Sequence, residues 1–127
     1  MTQKTITQAM VGRLYPAVAR LTDARLPAKK AFQIYKLAKK FRDLYEFAIS
    51  EEKKIVDSLS GMIGDDGMIK FANQEDYVKF QDSITELHQV DIDIEFEPVI
   101  LTEDDIVNLN ITAADISTLE EFVIFYI

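Results

Sequence analysis

The chain has 127 residues, 48% apolar and 28% charged, with a net charge of −8, which fits one soluble globular domain able to bury a core without staples. It has no cysteine and a single histidine, excluding a disulfide framework, a thiolate zinc site, a cysteine nucleophile and histidine-rich metal centres, and favouring a reducing compartment. No apolar run approaches the ~18 residues of a membrane span, and the opening MTQKTITQ has no signal-peptide core, so a cytosolic setting away from membranes is expected.

The charge is unevenly placed. Met1–Ser60 holds twelve Lys and Arg against six Asp and Glu, whereas Gly61–Ile127 holds two against sixteen. The expected organisation is a single domain over 1–127, with a basic helical hairpin in 1–60 and an acidic α/β half in 61–127. Such polarity bears on partners and association rather than on fold.

In chain order, Thr5 to Leu21 is expected to be a helix. Thr5 or Thr7 can cap it, and Ile6, Met10, Leu14, Val18 and Leu21 recur at three or four residues. Pro16 should kink this helix or split it near Tyr15. Pro27 suits the first turn of a second helix. From Pro27 to about Leu59 there is no glycine and no internal proline, and Ile34, Leu37, Phe41, Leu44, Ala48, Ile55 and Leu59 form one stripe. At ~1.5 Å per residue this helix is roughly 50 Å long. A compact domain of this size is about 30 Å across, so the helix either bends or projects towards a partner.

Ser60-Gly61 is the expected stop. Asp65-Asp66-Gly67 between Met62-Ile63 and Met68-Ile69 is a hairpin signature. Asn73 can cap a third helix with Tyr77, Phe80, Ile84 and Leu87 on one face. Asp91 to Phe96 alternates strictly, as a half-buried strand does. Pro98 confines that strand to an edge or ends it, and Val99-Ile100-Leu101 is a second short strand. Thr102 with Asp105 can cap a brief helical turn. Thr112 with Asp115 starts a last helix through Ile116, Leu119 and Val123. The predicted fold class is α+β and helix-dominated, a long central helix on one or two partners plus a small antiparallel sheet.

Asp91, Asp93, Glu95 and Glu97 place carboxylates ~7 Å apart along one strand face. Hard cations prefer such oxygen ligands, yet like charges on a strand also discourage edge-to-edge aggregation. Asp65-Asp66-Gly67 lacks the ligand spacing of a calcium loop. Glu103, Asp104 and Asp105 suit a helix N-terminus. His88 suits a helix C-terminus, and no nucleophile motif accompanies it. Four glycines furnish neither a phosphate loop nor a dinucleotide fingerprint. No metal and no cofactor is expected.

Lys29, Lys36 and Lys40 cluster on one side of the long helix. They can track phosphates, but the acidic back half opposes nucleic acid, so this half is expected to dock beside the basic helix, from the same chain or another copy. Phe32, Tyr35 and Phe47 fall outside the main stripe. The first helix or the hairpin is expected to cover them; left open, they form a partner or self-association site. The apolar end Phe122–Ile127 is expected to pack into the core, and otherwise to present Phe125 and Tyr126 to another subunit.

The run Leu26-Pro27-Ala28-Lys29, the long charged helix after it, the strand Val90-Asp91-Ile92-Asp93-Ile94 and the helix start Ile111-Thr112-Ala113-Ala114-Asp115-Ile116 resemble small acidic proteins of unknown function from tailed phages and prophages. The likeness covers most of the chain, and its motifs are structural, so no catalytic residue carries over. It implies phage origin and action in the host bacterial cytoplasm. The expected function is non-catalytic, stoichiometric protein binding. One form inhibits a host defence or nucleic-acid-handling protein, with Asp91, Asp93, Glu95, Glu97 and Glu103–Asp105 occupying a basic channel as DNA would. The alternative is a phage assembly chaperone or minor virion component using the long helix and the apolar tail. A metal-dependent nuclease on the acidic strand and direct nucleic-acid binding by the lysines are the remaining, less favoured readings.

Overall fold

A computed structural model describes residues 1–59 and 61–126. Eleven elements follow one another among these residues: β1 (Thr2–Thr7), α1 (Gln8–Leu21), α2 (Ala28–Ser58), β2 (Met62–Ile63), β3 (Ile69–Lys70), α3 (Gln74–His88), β4 (Asp91–Phe96), β5 (Val99–Thr102), α4 (Glu103–Ile106), α5 (Ala113–Leu119) and β6 (Val123–Tyr126). The fold is α+β and dominated by α2, whose 31 residues span about 46 Å. The expected stop at Ser60–Gly61 lies partly outside the described residues. The helix closes just before it, with Leu59 extended at φ −112°.

The first departure from expectation is at the start. Thr2–Thr7 is a strand, antiparallel to β4, with Thr2 opposite Phe96 and Thr7 opposite Asp91. Its β-branched residues suit a pleated surface, and Ile6 is buried against the core instead of sitting on a helical stripe. Thr7 occupies the N-cap position of α1 without a side-chain cap bond, and Thr5 lies inside the strand. The basic half therefore contributes a strand to the acidic half. Pro16 does not split α1. The residue four back, whose carbonyl would meet the proline ring, is Gly12, and both are exposed.

The hairpin forms where Asp-Gly predicts it. Gly67 takes φ +78°, Gly64 N–H donates to the Met68 carbonyl at 2.8 Å, and Asp66 accepts from Met68 N–H at 3.0 Å. Asn73 caps α3 by accepting from Asp76 N–H at 2.8 Å. Pro98 separates β4 from β5, which belong to different two-stranded sheets. Thr102/Asp105 and Thr112/Asp115 are both capping boxes.

The second departure is at the end. The last helix stops at Leu119, and Val123 opens β6, which runs parallel to β5 with Val99 opposite Val123. Parallel strands need a crossover of a dozen or more residues, and α4 with α5 supply it. Two of the small sheets are antiparallel and this one is parallel.

One core joins both halves of the chain, from Ile6 to Val123. Val11, Leu14, Val18 and Leu21 of α1 meet Ile34, Leu37 and Phe41 of α2. Phe122 lies at its centre, edge-on to Phe41 at 5.2 Å and tilted on Phe96 at 4.7 Å between ring centroids. The expected packing of the apolar end is thus found at Phe122 and Val123; Ile127 lies outside the described residues.

Candidate interaction surfaces

Strand register decides where the acidic residues point. Thr7 stands opposite Asp91, Thr5 opposite Asp93 and Gln3 opposite Glu95, so these six share the outer face of the sheet while Ile94 and Phe96 fill the core. Asp91, Asp93, Glu95 and Glu97 are exposed. Asp93 accepts from the Thr5 hydroxyl at 2.6 Å. Glu97 instead turns towards α2, where it borders a depression lined also by Lys36, Lys40 and Phe96.

The acidic run after β5 divides. Glu103 and Asp104 are exposed. Asp105 is committed internally: it accepts from Lys30 Nζ at 2.8 Å and from Thr102 N–H at 2.9 Å. The Lys30 ammonium, then the Thr102 amide, hold its carboxyl below the ordinary 3.8. Asp105 is therefore withdrawn from any acidic docking face.

The expected docking of the acidic half beside the basic helix is realised at two points, Lys30 on Asp105 and Lys40 donating to the Glu95 backbone carbonyl. Lys36 lies over the Phe32 ring, 5.0 Å from its centroid, and Lys29 is exposed. The three lysines thus have different surroundings rather than forming one phosphate track.

The expected cover over the off-stripe aromatics is not found. Phe32, Tyr35 and Phe47 remain 58%, 54% and 55% exposed. The reason is geometric: α1 packs on the inward stripe of α2, and the hairpin follows the far end of the helix. Phe32 and Tyr35 stack on each other at 6.2 Å between centroids. At the chain end, Phe125 packs partly against the core and Tyr126 projects outward. Tyr126, Ile100 and Ile124 are all exposed on the outer face of the β5–β6 pair, although parallel sheets are ordinarily covered on both faces.

A further surface was not anticipated. No described residue from Asp57 to Val90 is buried. The hairpin exposes Met62, Ile63 and Met68, and α3 adds Tyr77 and Val78. Within this arm only a small aromatic group gathers, Phe71 with Phe80 at 5.0 Å and with Tyr77 at 6.1 Å. The predicted apolar face of α3 is partly covered: Phe80, Ile84 and Leu87 are half-buried on the helix that meets α1 and α2, whereas Tyr77 and Val78 stay exposed.

Sequence reasoning also missed two internal polar contacts. Gln8 is buried, and its amide donates to the Leu44 carbonyl at 3.0 Å. Asp115, also buried, receives Arg20 besides the Thr112 amide at 3.2 Å. The Asp115 cap was legible; its tie to α1 was not, because the two residues lie far apart in sequence. His88 ends α3 at 3.5 Å from Glu52, on the rim of an open groove floored by Ala9, Gly12, Ala48 and Ile49.

Among the described residues no group of three or more His, Asp or Glu is arranged to hold a metal ion, and no helix is long and apolar enough to cross a membrane. No protein-family model matches the chain, and neither does any curated protein or solved structure compared with it.

Proposed function

We propose that the protein catalyses no reaction and works by stoichiometric binding to another protein, with the hairpin and α3 as the docking element. The observation that carries this reading is the arm from Asp57 to Val90, which buries no described residue yet exposes Met62, Ile63 and Met68 at 74%, 62% and 63%. An isolated two-stranded hairpin is marginal in water, and clustered exposed apolar side chains mark interaction sites. Residues 61–90 also carry six Asp and Glu against two Lys. The matching partner surface is an apolar groove rimmed by Lys and Arg. In the phage setting that the resemblance implies, with the host cytoplasm as location, such a contact suits escort of a virion component.

A second reading rests on a different observation. Asp91, Asp93 and Glu95 stand in line on one open sheet face, as a mimic of nucleic acid needs in order to occupy a basic channel of a host defence protein.

The test pairs two variants whose substitutions are all at exposed positions. Full-length wild type, Met62→Ser/Ile63→Ser/Met68→Ser and Asp91→Asn/Asp93→Asn/Glu95→Gln are each used to capture partners from infected host cells, and complexes are weighed by native mass. The proposal expects one partner in fixed ratio, retained at ~0.5 M salt and lost with the hairpin variant. A partner lost with the acidic-face variant, and released by salt, selects the second reading. Cleavage of nucleic acid by the purified protein with Mg²⁺ or Mn²⁺ overturns the non-catalytic reading.

A further inference from the structure

The outward face of α2 carries a second regular pattern, distinct from the stripe that enters the core. Phe32, Lys36, Lys39, Asp43, Glu46 and Ser50 recur at spacings of four and three, which keeps them on one line of the helix. All six are exposed, and Tyr35 and Phe47 flank the line, also exposed. The order of charge along it is basic first and acidic second.

This order is symmetric about Phe41. Lys39 and Asp43 lie two residues to either side, Lys36 and Glu46 five, Tyr35 and Phe47 six. An antiparallel pair of such helices, related by a two-fold axis level with Phe41, brings Lys39 level with Asp43 of the second copy. Lys36 comes level with Glu46, and Tyr35 with Phe47. Each relation occurs twice, as an isologous contact requires. Parallel pairing sets each of these charges against its own copy. Sliding the antiparallel pair by a heptad sets Lys36 against Lys39 in one direction, and Asp43 against Glu46 in the other.

We infer that the protein forms a two-fold homodimer through this face, with a second copy of the chain as the occupant. The inference does not rest on the hairpin reading, since it uses a different surface. Charge complementarity selects the partner: the face is complementary to itself antiparallel, and the register centred on Phe41 sets all four charges of the line against opposite charges. Lys36 already lies over Phe32, and Arg42 Nε is 3.8 Å from Asp43, so one charge of each half has a neighbour beside the stripe. Lys40 and Arg42 are level with each other in the dimer but on opposite sides of it, Lys40 bonded to the Glu95 carbonyl. Lys29 and Lys53 mark the ends, where like charges meet and the contact stops. The contact covers about 27 Å of helix and is mostly polar, so the dimer is reversible, populated at roughly 10–100 µM and weakened by salt.

Sedimentation velocity and native mass on the full chain at low salt test this. Wild type is expected to shift from monomer to dimer as concentration rises. Lys36→Glu/Lys39→Glu makes the whole stripe acidic, and Asp43→Lys/Glu46→Lys makes it basic. Each variant alone is expected to dimerise on the order of 100-fold more weakly, with an unchanged circular dichroism spectrum. Mixed one to one, they are expected to form a heterodimer tighter than the wild-type homodimer. Wild type that stays monomeric at ~200 µM in low salt overturns the inference. So does a dimer indifferent to either charge reversal, or a mixture in which the two variants fail to pair.

Discussion

Replacing Phe122 by alanine tests whether the end of the chain is core or appendage. Phe122 is 1% exposed and touches two other rings, Phe41 at 5.2 Å and Phe96 at 4.7 Å. It joins α2, β4 and the segment leading into β6, which come from three distant parts of the sequence. Removing a fully buried phenylalanine ring costs about 3–5 kcal/mol. The two ring contacts, each adding about 0.5–1.5 kcal/mol, place this site at the upper end. Domains of this size are stable by about 5–15 kcal/mol in all, so the variant should lose a third or more of its stability. Urea denaturation followed by far-ultraviolet circular dichroism measures it, with Ile124→Ala as the control. Ile124 is two residues away but half exposed, and its loss should cost less than about 1 kcal/mol. A cost below about 1.5 kcal/mol for Phe122→Ala, or similar costs at both positions, refutes the placement of this segment in the core.

Three shorter predictions accompany it. Asp115→Ala leaves Arg20 and the Thr112 amide without their acceptor and should cost about 1–3 kcal/mol by thermal unfolding, more than the same change at exposed Asp104. The Asp105 carboxyl is held below its ordinary value of 3.8 in the folded state, so its contribution is complete above about pH 4 and is lost as pH falls through the lowered value. Asp105→Asn should therefore flatten the fall in stability below pH 4 and leave that at pH 7 without added pH dependence, as read from melting curves at each pH. Hydrogen exchange should separate the arm from the core, with amides of residues 62–70 exchanging far faster than those of Leu14–Leu21 and Leu37–Phe41, because no described residue between Asp57 and Val90 is buried. Equal protection in the isolated protein would remove the ground for assigning a partner to the arm.

Elements written in local pattern were readable from sequence. The strand at Asp91–Phe96 alternates without exception, α2 runs free of glycine and proline, and the hairpin and both capping boxes rest on contacts within five residues. What sequence left open was pairing at a distance. Thr5-Ile6-Thr7 contains one apolar residue, which fits a helical stripe and an alternating strand equally well. Its strand partner lies 88 residues away, at Asp93. Likewise Phe122–Tyr126 is a short apolar run with no period of its own, and only β5 beside it makes it a strand. The acidic face of β4 was legible because alternation sets it directly. The exposure of the hairpin was not, since the pairs Met62-Ile63 and Met68-Ile69 look the same in sequence whether they meet this chain or another.

The uneven charge now has a physical division. Among the described residues, three ion pairs tie a base of the front half to an acid of the back half: Lys4 to Glu121, Arg20 to Asp115 and Lys30 to Asp105. Each joins elements that the chain must bring together from opposite ends, β1 to the turn before β6, α1 to α5, and α2 to α4. The exposed Lys4–Glu121 pair contributes only about 0–1 kcal/mol, while the acids of the other two pairs are largely buried; all three favour this arrangement of the halves, to which the Phe41–Phe96–Phe122 cluster adds apolar burial. The bases on the outward line of α2 and the acids of the β4 face and the arm are not used in this way. A chain that needed its charge only for folding would place it at the contacts between halves. Here much of it lies on surfaces the fold leaves open, a stripe of both signs on α2 and acidic faces on β4 and the arm, which are the surfaces that the proposed second copy and partner protein would use.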